Sequence, residues 1–153
     1  MRAVVQRVSF AEVSVVTPET ETLSGQIGPG VVVYLGVGKE DTSADVAYLA
    51  DKVANLRIFM DSDEKMNLSV KDLGYSALVI SQFTLYADAR KGRRPSYSDA
   101  AGNDSALGLY QAFCAELSAC GISVQTGEFR QIMRVKSVNE GPVTILLDSK
   151  KTF

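Results

Sequence analysis

The sequence predicts an α+β fold: a single compact domain over residues 1–153, with a mixed, barrel-like β-sheet core and two main helices. The chain has 153 residues, and 46% of them are hydrophobic, which is enough to bury one core. Several short segments have strand-type patterns, and two longer segments have helical periodicity. We find no repeat, linker or low-complexity segment that would divide the chain.

Three strands are predicted in the first quarter of the chain. Val4–Val8 and Val13–Val16 alternate apolar and polar residues, as half-buried strands do. Val31–Val37 is a continuous, largely β-branched run of the kind found in buried strands. The glycines and the proline between residues 25 and 30 predict a turn before that run.

Two helices follow from apolar periodicity and from end signals. Thr42 and Asp45 form a possible capping box, and an apolar face continues to Leu56. The second helix is predicted from Ser105 to Cys120, ended by Gly121. Its inner stripe consists of Ala106, Tyr110, Phe113 and Leu117.

The remaining strand segments lie around and after the second helix. Ala77–Ile80 has the apolar pattern of a buried strand and leads into a polar segment. Three strand-like segments end the chain: Ser123–Gln125, Met133–Val138 and Val143–Leu147. This combination of strands and helices favours a mixed sheet.

The composition excludes several classes of enzyme. The chain has no histidine, which rules out Ser-His-Asp and Cys-His catalysis and histidine-ligated zinc. Cys114 and Cys120 lie on one predicted helix and point in different directions, so we expect reduced, packed thiols. The acidic segment Asp61–Glu64 does not have the spacing of a calcium loop, and no metal site is predicted.

The charge and the N-terminal pattern restrict the partners and the location. The formal net charge is −2, so any RNA contact must come from a local basic patch. No apolar run is long enough for a signal peptide or a membrane span. We therefore expect a cytoplasmic protein with no membrane or DNA partner.

Ser81–Leu85 is the first segment that carries possible chemistry. A strand that ends in Ser-Gln-Phe-Thr offers hydroxyls, an amide and backbone N–H groups where the sheet gives way to a loop. Alternatively, Ser81 and Thr84 cap the local backbone while Phe83 packs in the core. No histidine is available to activate either hydroxyl.

Two further segments each have a functional and a purely structural interpretation. Gly141-Pro142 lies between two predicted strands and is typical of a turn, an edge or a bulge. The loop from Arg90 to Arg94 carries four cations, Arg90, Lys91, Arg93 and Arg94, which suit phosphate contact. A solvated surface loop has the same composition. Tyr97, just beyond, suits stacking on a base or ordinary packing.

Several motifs resemble the D-aminoacyl-tRNA deacylase family in order and spacing. Two of them are Ser81–Leu85 and Asn139–Thr144, and together the motifs span nearly the whole chain. The other motifs are Gln6-Arg7-Val8, Arg57-Ile58-Phe59, Lys65-Met66-Asn67, Arg94-Pro95-Ser96, and Thr126-Gly127 with Phe129.

The resemblance implies a homodimer whose active sites lie at the subunit interface. Ser81, Gln82, Phe83 and Thr84 would line the pocket for the ester and the terminal adenosine. Gly141-Pro142, with a cis peptide bond, would reach in from the partner subunit as a chirality gate. Arg7 and Asn139 would belong to that gate, and Phe129 and Met133 to the pocket wall. The resemblance implies no metal or organic cofactor.

The implied reaction is hydrolysis of the ester of D-aminoacyl-tRNA. Backbone N–H groups near Phe83 and Thr84 would stabilise the oxyanion, and the tRNA 2′-hydroxyl would assist proton transfer. A nucleophilic Thr84 is the alternative. Rejection of L-amino acids by main chain would let glycine pass, so we expect activity on glycyl-tRNA.

The sequence departs from the family pattern at three places. Arg130, Gln131 and Ile132 stand where small residues are usual, Glu140 replaces Asp, and Tyr97 replaces Phe. Three other functions stay open: a relative that clears L-alanyl-tRNA, a catalytically silent tRNA-binding module, and a small-molecule esterase.

Overall fold

The principal element of the fold is a mixed six-stranded sheet. A computed structural model describes all residues from 1 to 153. In chain order the elements are β1 (Arg2–Val16), β2 (Glu21–Ile27), β3 (Gly30–Gly36), α1 (Ser43–Asn55), β4 (Phe59–Met60), β5 (Met66–Leu68), β6 (Ser76–Ser81), a 3₁₀ turn (Phe83–Tyr86), α2 (Asn103–Ala119), β7 (Ser123–Thr126) and β8 (Met133–Asp148).

The sheet has the order β2-β1-β3-β6-β7, and β8 pairs with β1. The pairs β3–β6 and β6–β7 are parallel, whereas β1 is antiparallel to β2, β3 and β8. The two end strands approach each other, since Ser24 Oγ of β2 donates to the Thr126 carbonyl of β7 at 3.2 Å. The sheet therefore nearly closes on itself, and the predicted α+β fold with a barrel-like core is confirmed.

Alternate side chains of the strands supply two separate cores. In β3, Val31 and Val33 face the helices, while Val32 points into the interior of the curved sheet. The interior cluster consists of Val8, Ala11, Val13, Ile27, Val32, Leu78 and Ile80. The larger cluster lies between the sheet and the two helices, which also pack against each other. Both faces of β3 and β6 are thus buried, which explains their continuous apolar runs.

The two longest strands differ from the prediction. Val4–Val8 and Val13–Val16 belong to one strand, β1, and the segments predicted at 133–138 and 143–147 belong to one strand, β8. Their pairing shifts register between Gln6 and Val8 and again between Val8 and Phe10. Val5 and Val13 are an even number of residues apart, a spacing that would put them on one face of a regular strand, yet Val5 packs in the larger cluster and Val13 in the interior cluster. The irregular segment therefore turns the side chains of β1 to the other face, so one strand serves both cores and its polar interruption is a bulge rather than an end.

Both helices form near their predicted bounds. The Thr42 N–H donates to Asp45 Oδ2 at 2.9 Å, which completes the predicted capping box of α1. Tyr110, Phe113 and Leu117 are the buried stripe of α2. After α2 the Gly121 N–H bonds to the Ser118 carbonyl at 2.9 Å, so the helix stops where predicted. Neither helix is long and apolar enough to cross a bilayer.

Two features of the first half were not predicted. The prediction that a turn begins at residue 25 is wrong, because β2 continues through Gly25 to Ile27. A Cβ atom at Gly25 would lie 2.8 Å from the Thr126 carbonyl oxygen, so this glycine permits the close approach of β2 and β7. The short hairpin of β4 and β5 encloses the acidic turn that includes Asp61, whose N–H bonds to the Lys65 carbonyl at 2.8 Å.

Candidate active site

A cavity of about 610 Å³ opens where β6 ends, within the size range of small-molecule sites. Ten of its fifteen lining residues are hydrophobic. The lining consists of Val37, Ile80, Ser81, Gln82, Phe83, Tyr97, Ala100, Ala101, Asn103, Ala106, Phe129, Arg130, Gln131, Met133 and Val135. The cavity thus brings together five of the residues predicted for the site: Ser81, Gln82, Phe83, Phe129 and Met133.

The first wall is built where the chain leaves the sheet. Ser81 is the last residue of β6. The N–H of Gln82, which follows it, donates to the Leu35 carbonyl at 2.8 Å and holds Gln82 against β3. Phe83 begins the 3₁₀ turn, and 56% of its surface is exposed, so it does not pack in the core. Its ring contacts Tyr97 edge to face at 5.1 Å. The two aromatic rings therefore form an accessible apolar surface at the cavity.

Thr84 differs from its neighbours because it does not line the cavity. Its hydroxyl is the hydrogen-bond partner of Gln82 Nε2. An amide cannot act as a general base, so this partner cannot activate the hydroxyl as a nucleophile. The N–H groups of Phe83 and Thr84 lie at the start of the 3₁₀ turn, where backbone donors lack partners within the turn.

The opposite wall comes from the segment between β7 and β8. Phe129 packs its ring against Tyr110 of α2 with 6.0 Å between centroids. The Tyr110 hydroxyl donates to the Val79 carbonyl at 2.9 Å, and burial raises the pKa of this tyrosine. Tyr110 is therefore a neutral donor that fixes α2 to β6 behind the wall, and Phe129 is positioned against a rigid support.

The Gly141-Pro142 segment lies in the middle of β8, and its peptide bond is cis. Neither residue lines the cavity of its own chain. Gly141 has φ +115, and a Cβ atom there would lie 2.6 Å from Arg7 Nη2, so only glycine fits. One chain therefore does not bring the predicted gate to the predicted pocket.

Arg7 and Asn139 hold the backbone on both sides of Gly141. The Arg7 side chain is buried, with Nε donating to the Glu140 carbonyl at 3.2 Å and Nη1 to the Ile58 carbonyl at 2.6 Å. Asn139 Oδ1 accepts the N–H of Val143 at 3.2 Å. The segment is thus fixed by hydrogen bonds from side chains on β1 and β8.

The basic loop is closed at its base and carries three unpaired cations. Asp88 and Ser96 exchange backbone hydrogen bonds of 2.8 and 2.9 Å. Arg90 forms two hydrogen bonds with the Asp88 carboxylate, at 2.8 and 2.7 Å, and these hold the pKa of Asp88 well below its ordinary value. No carboxylate lies within 4.0 Å of the other three, which are Lys91, Arg93 and Arg94.

The environment of Cys114 does not favour a reactive thiol. Cys114 and Cys120 are both free, as predicted. Burial raises the pKa of Cys114 to about 11, so little thiolate is present near neutral pH. Nothing in this environment suits a nucleophilic thiol.

Some lining residues were not anticipated from the sequence. Val37 follows β3, Ala100 and Ala101 precede α2, and Asn103 is the first residue of α2. Their positions depend on how α2 docks against β3 and β6, which no local pattern encodes. Arg130 and Gln131 were singled out only as departures from a family pattern.

The chain is similar in sequence to one family of known proteins. The family model described as D-Tyr-tRNA(Tyr) deacylase matches residues 4–148. A D-aminoacyl-tRNA deacylase from Syntrophobacter fumaroxidans is 56% identical over 153 residues, and one from Alkaliphilus metalliredigens is 57% identical over 153 residues. Each alignment covers 100% of both chains.

Two solved structures share the fold. A structure described as c-Myc DNA Unwinding Element Binding Protein superposes with a TM-score of 0.88 and 37% identity, covering 97% of this chain and 98% of that one. A probable eukaryotic D-amino acid tRNA deacylase superposes with a TM-score of 0.80, covering 95% of this chain and 97% of that one, at 19% identity. With a family model that spans most of its length and full-length relatives at this identity, the chain belongs to the D-Tyr-tRNA(Tyr) deacylase family, a family of hydrolases.

Proposed function

We propose that the chain hydrolyses the ester bond of D-aminoacyl-tRNA and releases the free D-amino acid and tRNA, as a chiral proofreading step of translation in the cytoplasm. The observation that carries this proposal is the cavity between Ser81–Phe83 and Phe129–Met133. It is large enough for a terminal adenosine and an amino acid, and its exposed aromatic rings suit stacking on a base. Full-length relatives that carry this activity in their names support the substrate class.

The proposed mechanism of ester hydrolysis follows from the absence of a general base in the cavity lining. The lining contains no carboxylate, lysine or histidine that could serve as a general base. Water therefore attacks the ester carbonyl, the acyl C–O bond breaks, and the leaving 3′-oxygen takes a proton. The neighbouring 2′-hydroxyl of the tRNA assists this proton transfer, and the N–H groups of Phe83 and Thr84 stabilise the oxyanion.

We further propose that chirality is read by main chain from a second subunit. Gly141-Pro142 is fixed by Arg7 and Asn139 but lies outside the cavity of its own chain. In a homodimer this segment of one subunit enters the cavity of the other. An L side chain then meets the backbone of the gate, while a D side chain points to open space. Glycine has no side chain to exclude, so glycyl-tRNA is also a substrate.

The basic loop supplies the contact with the body of the tRNA. Lys91, Arg93 and Arg94 are exposed and free of carboxylate partners, so their charges are available to phosphates. Arg90 contributes less, because Asp88 already pairs with it.

The test is to incubate the protein with D-tyrosyl-, L-tyrosyl- and glycyl-tRNA and to follow release of the amino acid. We expect rapid release from the D-tyrosyl and glycyl substrates, with the L-tyrosyl ester left intact. Binding without hydrolysis of any of the three would instead establish a silent tRNA-binding module. Release from the L substrate alone would contradict the assigned stereochemistry.

A further inference from the structure

Arg130 is the only side chain with a formal charge among the fifteen that line the cavity. It is exposed, and no carboxylate lies within 4.0 Å of its guanidinium. No hydrogen bond joins its side chain to any other part of the chain. The cavity thus presents one uncompensated positive charge to whatever enters it.

The backbone at Arg130 is unfavourable for an arginine. The Gln131 N–H bonds to the Glu128 carbonyl at 3.3 Å, which defines a turn over residues 128–131. Arg130 is the third residue of this turn and has φ +66, a conformation that favours glycine. No contact of the Arg130 side chain within the chain compensates for this unfavourable φ. A contact with a ligand would explain why an arginine occupies the position.

The substrate carries groups of opposite charge, and electrostatic attraction determines which of them lies next to the Arg130 guanidinium. A D-aminoacyl-tRNA end carries a cationic α-ammonium group on the amino acid and an anionic phosphodiester on the 5′ side of the terminal adenosine. A guanidinium repels the first and forms charge-assisted, bidentate hydrogen bonds with the second. Only one orientation in the cavity satisfies both, with the phosphodiester at the turn over residues 128–131 and the ammonium group away from it.

We propose that Arg130 binds the terminal phosphodiester of the tRNA and thereby orients the aminoacyl ester in the cavity. This inference rests on the proposed function. It adds a phosphate-binding subsite and the orientation of the substrate in the cavity. Arg130 acts in binding, and takes no part in bond breaking. Because the contact is the same in the ground state and in the transition state, its loss raises KM and leaves kcat unchanged.

The experiment compares two small substrates and two enzymes. The substrates are 3′-O-D-tyrosyl-adenosine with and without a 5′-phosphate, and the enzymes are wild type and Arg130→Gln. We expect the substitution to raise KM for the phosphorylated ester about tenfold, because a charge-assisted hydrogen bond is lost. KM for the unphosphorylated ester should not change. Lys71→Gln, which removes an exposed cation that does not line the cavity, is the matched control and should alter neither KM.

Two more variants separate binding from folding. Arg130→Lys should restore much of the affinity for the phosphorylated ester. Arg130→Gly should match Arg130→Gln in KM and should retain the thermal stability of wild type, because glycine is favoured at this φ. A merely structural role would give the opposite pattern, with Arg130→Lys no better than Arg130→Gln.

Three results would overturn the proposal. An equal rise in KM for both esters would show that Arg130 does not contact the phosphate, as would no rise for either. If wild type hydrolyses neither ester, the proposed function fails, and binding of adenosine 5′-monophosphate against adenosine, measured by calorimetry, still tests Arg130. Equal affinity of wild type for the nucleotide and the nucleoside would then refute the subsite.

Discussion

Arg7 is a buried guanidinium whose hydrogen-bond partners are backbone carbonyls. Only 7% of its surface is exposed, and its two acceptors, the Ile58 and Glu140 carbonyls, come from different parts of the chain. A buried cation is costly unless hydrogen bonds satisfy it, so these contacts depend on one another. Arg7 on β1 therefore fixes β8 beside Gly141 and the chain that enters β4.

We expect Arg7→Ala to disturb both stability and stereochemistry. It leaves the Ile58 and Glu140 carbonyls without their donor, which should lower the free energy of unfolding by about 1–3 kcal/mol. It also releases the backbone beside Gly141, so hydrolysis of L-tyrosyl-tRNA should rise relative to the D substrate. Urea unfolding and the D and L rate constants measure the two effects.

Two further variants control for charge and geometry. Arg7→Lys keeps the charge but lacks the planar fork that spans two carbonyls, and should fall between wild type and Arg7→Ala. Arg134→Ala removes an exposed cation from β8 and should change stability by no more than about 0.5 kcal/mol. If Arg7→Ala rejects L-tyrosyl-tRNA as strongly as wild type does, Arg7 does not hold the gate.

The sequence predicts which residues form the candidate site better than it predicts what each of them does. Ser81, Phe83, Phe129 and Met133 come from motifs far apart in the chain, and they meet in one cavity. Their chemistry alone left a capping role or a core position open, because hydroxyls and aromatic rings are common in both. Thr84 belongs to the same motif but does not line the cavity, which depends on the local geometry of the 3₁₀ turn.

Among the elements, the helices followed from local signals and the long strands did not. The capping box of α1 involves only four consecutive residues, from Thr42 to Asp45, and it forms as predicted. The bulges of β1 depend on its pairing with β8, which is more than a hundred residues away in the chain. A register shift between distant strands leaves no local pattern, so the sequence predicts two strands where the structure has one.

The Asp45 carboxylate also receives contacts that no local pattern indicates. Ser149 Oγ donates to it at 2.6 Å and Lys150 Nζ lies at 2.8 Å, both from the end of the chain. Burial opposes the ionisation of Asp45, but hydrogen bonds from Lys150, Ser149 and Thr42 outweigh it and hold its pKa well below the ordinary value. The ionised carboxylate therefore joins the start of α1 to the segment after β8.

This depressed pKa predicts how stability depends on pH. The folded pKa lies below the unfolded value of about 3.9, so the stabilisation is complete above that value and is lost as the pH falls below it. We expect Asp45→Asn to lower the free energy of unfolding by about 1.5–3 kcal/mol near neutral pH. The difference from wild type should shrink steadily in urea titrations below about pH 4.

Asp51→Asn is the control on the same helix. Asp51 is exposed, and its removal should cost no more than about 0.5 kcal/mol. A difference between wild type and Asp45→Asn that stays constant down to about pH 3 would mean that the charge of Asp45 does not stabilise the fold.

For the whole molecule, the separation of gate and pocket is the decisive feature. Gly141-Pro142 lies on β8, whose outer surface exposes Val138 at 55% and Leu146 at 59%. β8 pairs with β1 and with no other strand of the chain, so its second edge is free. An apolar face beside an open edge suits association with a second copy, which would carry the gate to the other cavity.

We expect Leu146→Glu to weaken this association and the activity together. A charge placed in an apolar interface must be desolvated, so the protein should sediment as a monomer and lose deacylation. Leu23→Glu is the matched control, because Leu23 is exposed to a similar degree, 54%, on β2. It should leave both properties unchanged. A wild-type protein that is monomeric at working concentration and still rejects L-tyrosyl-tRNA would rule out a gate from a partner subunit.

In the proposed reaction the cavity orients the ester, and the 2′-hydroxyl of the tRNA assists proton transfer. This role can be measured as the single-turnover rate constant for D-tyrosyl-tRNA that ends in 2′-deoxyadenosine, compared with the ordinary substrate. We predict a fall of about a hundredfold or more, as expected when a group that transfers a proton is removed. Thr84→Val should leave the rate with the ordinary substrate close to that of wild type. Full activity on the deoxy substrate, together with loss of activity in Thr84→Val, would rule out assistance by the 2′-hydroxyl and assign the nucleophile to Thr84.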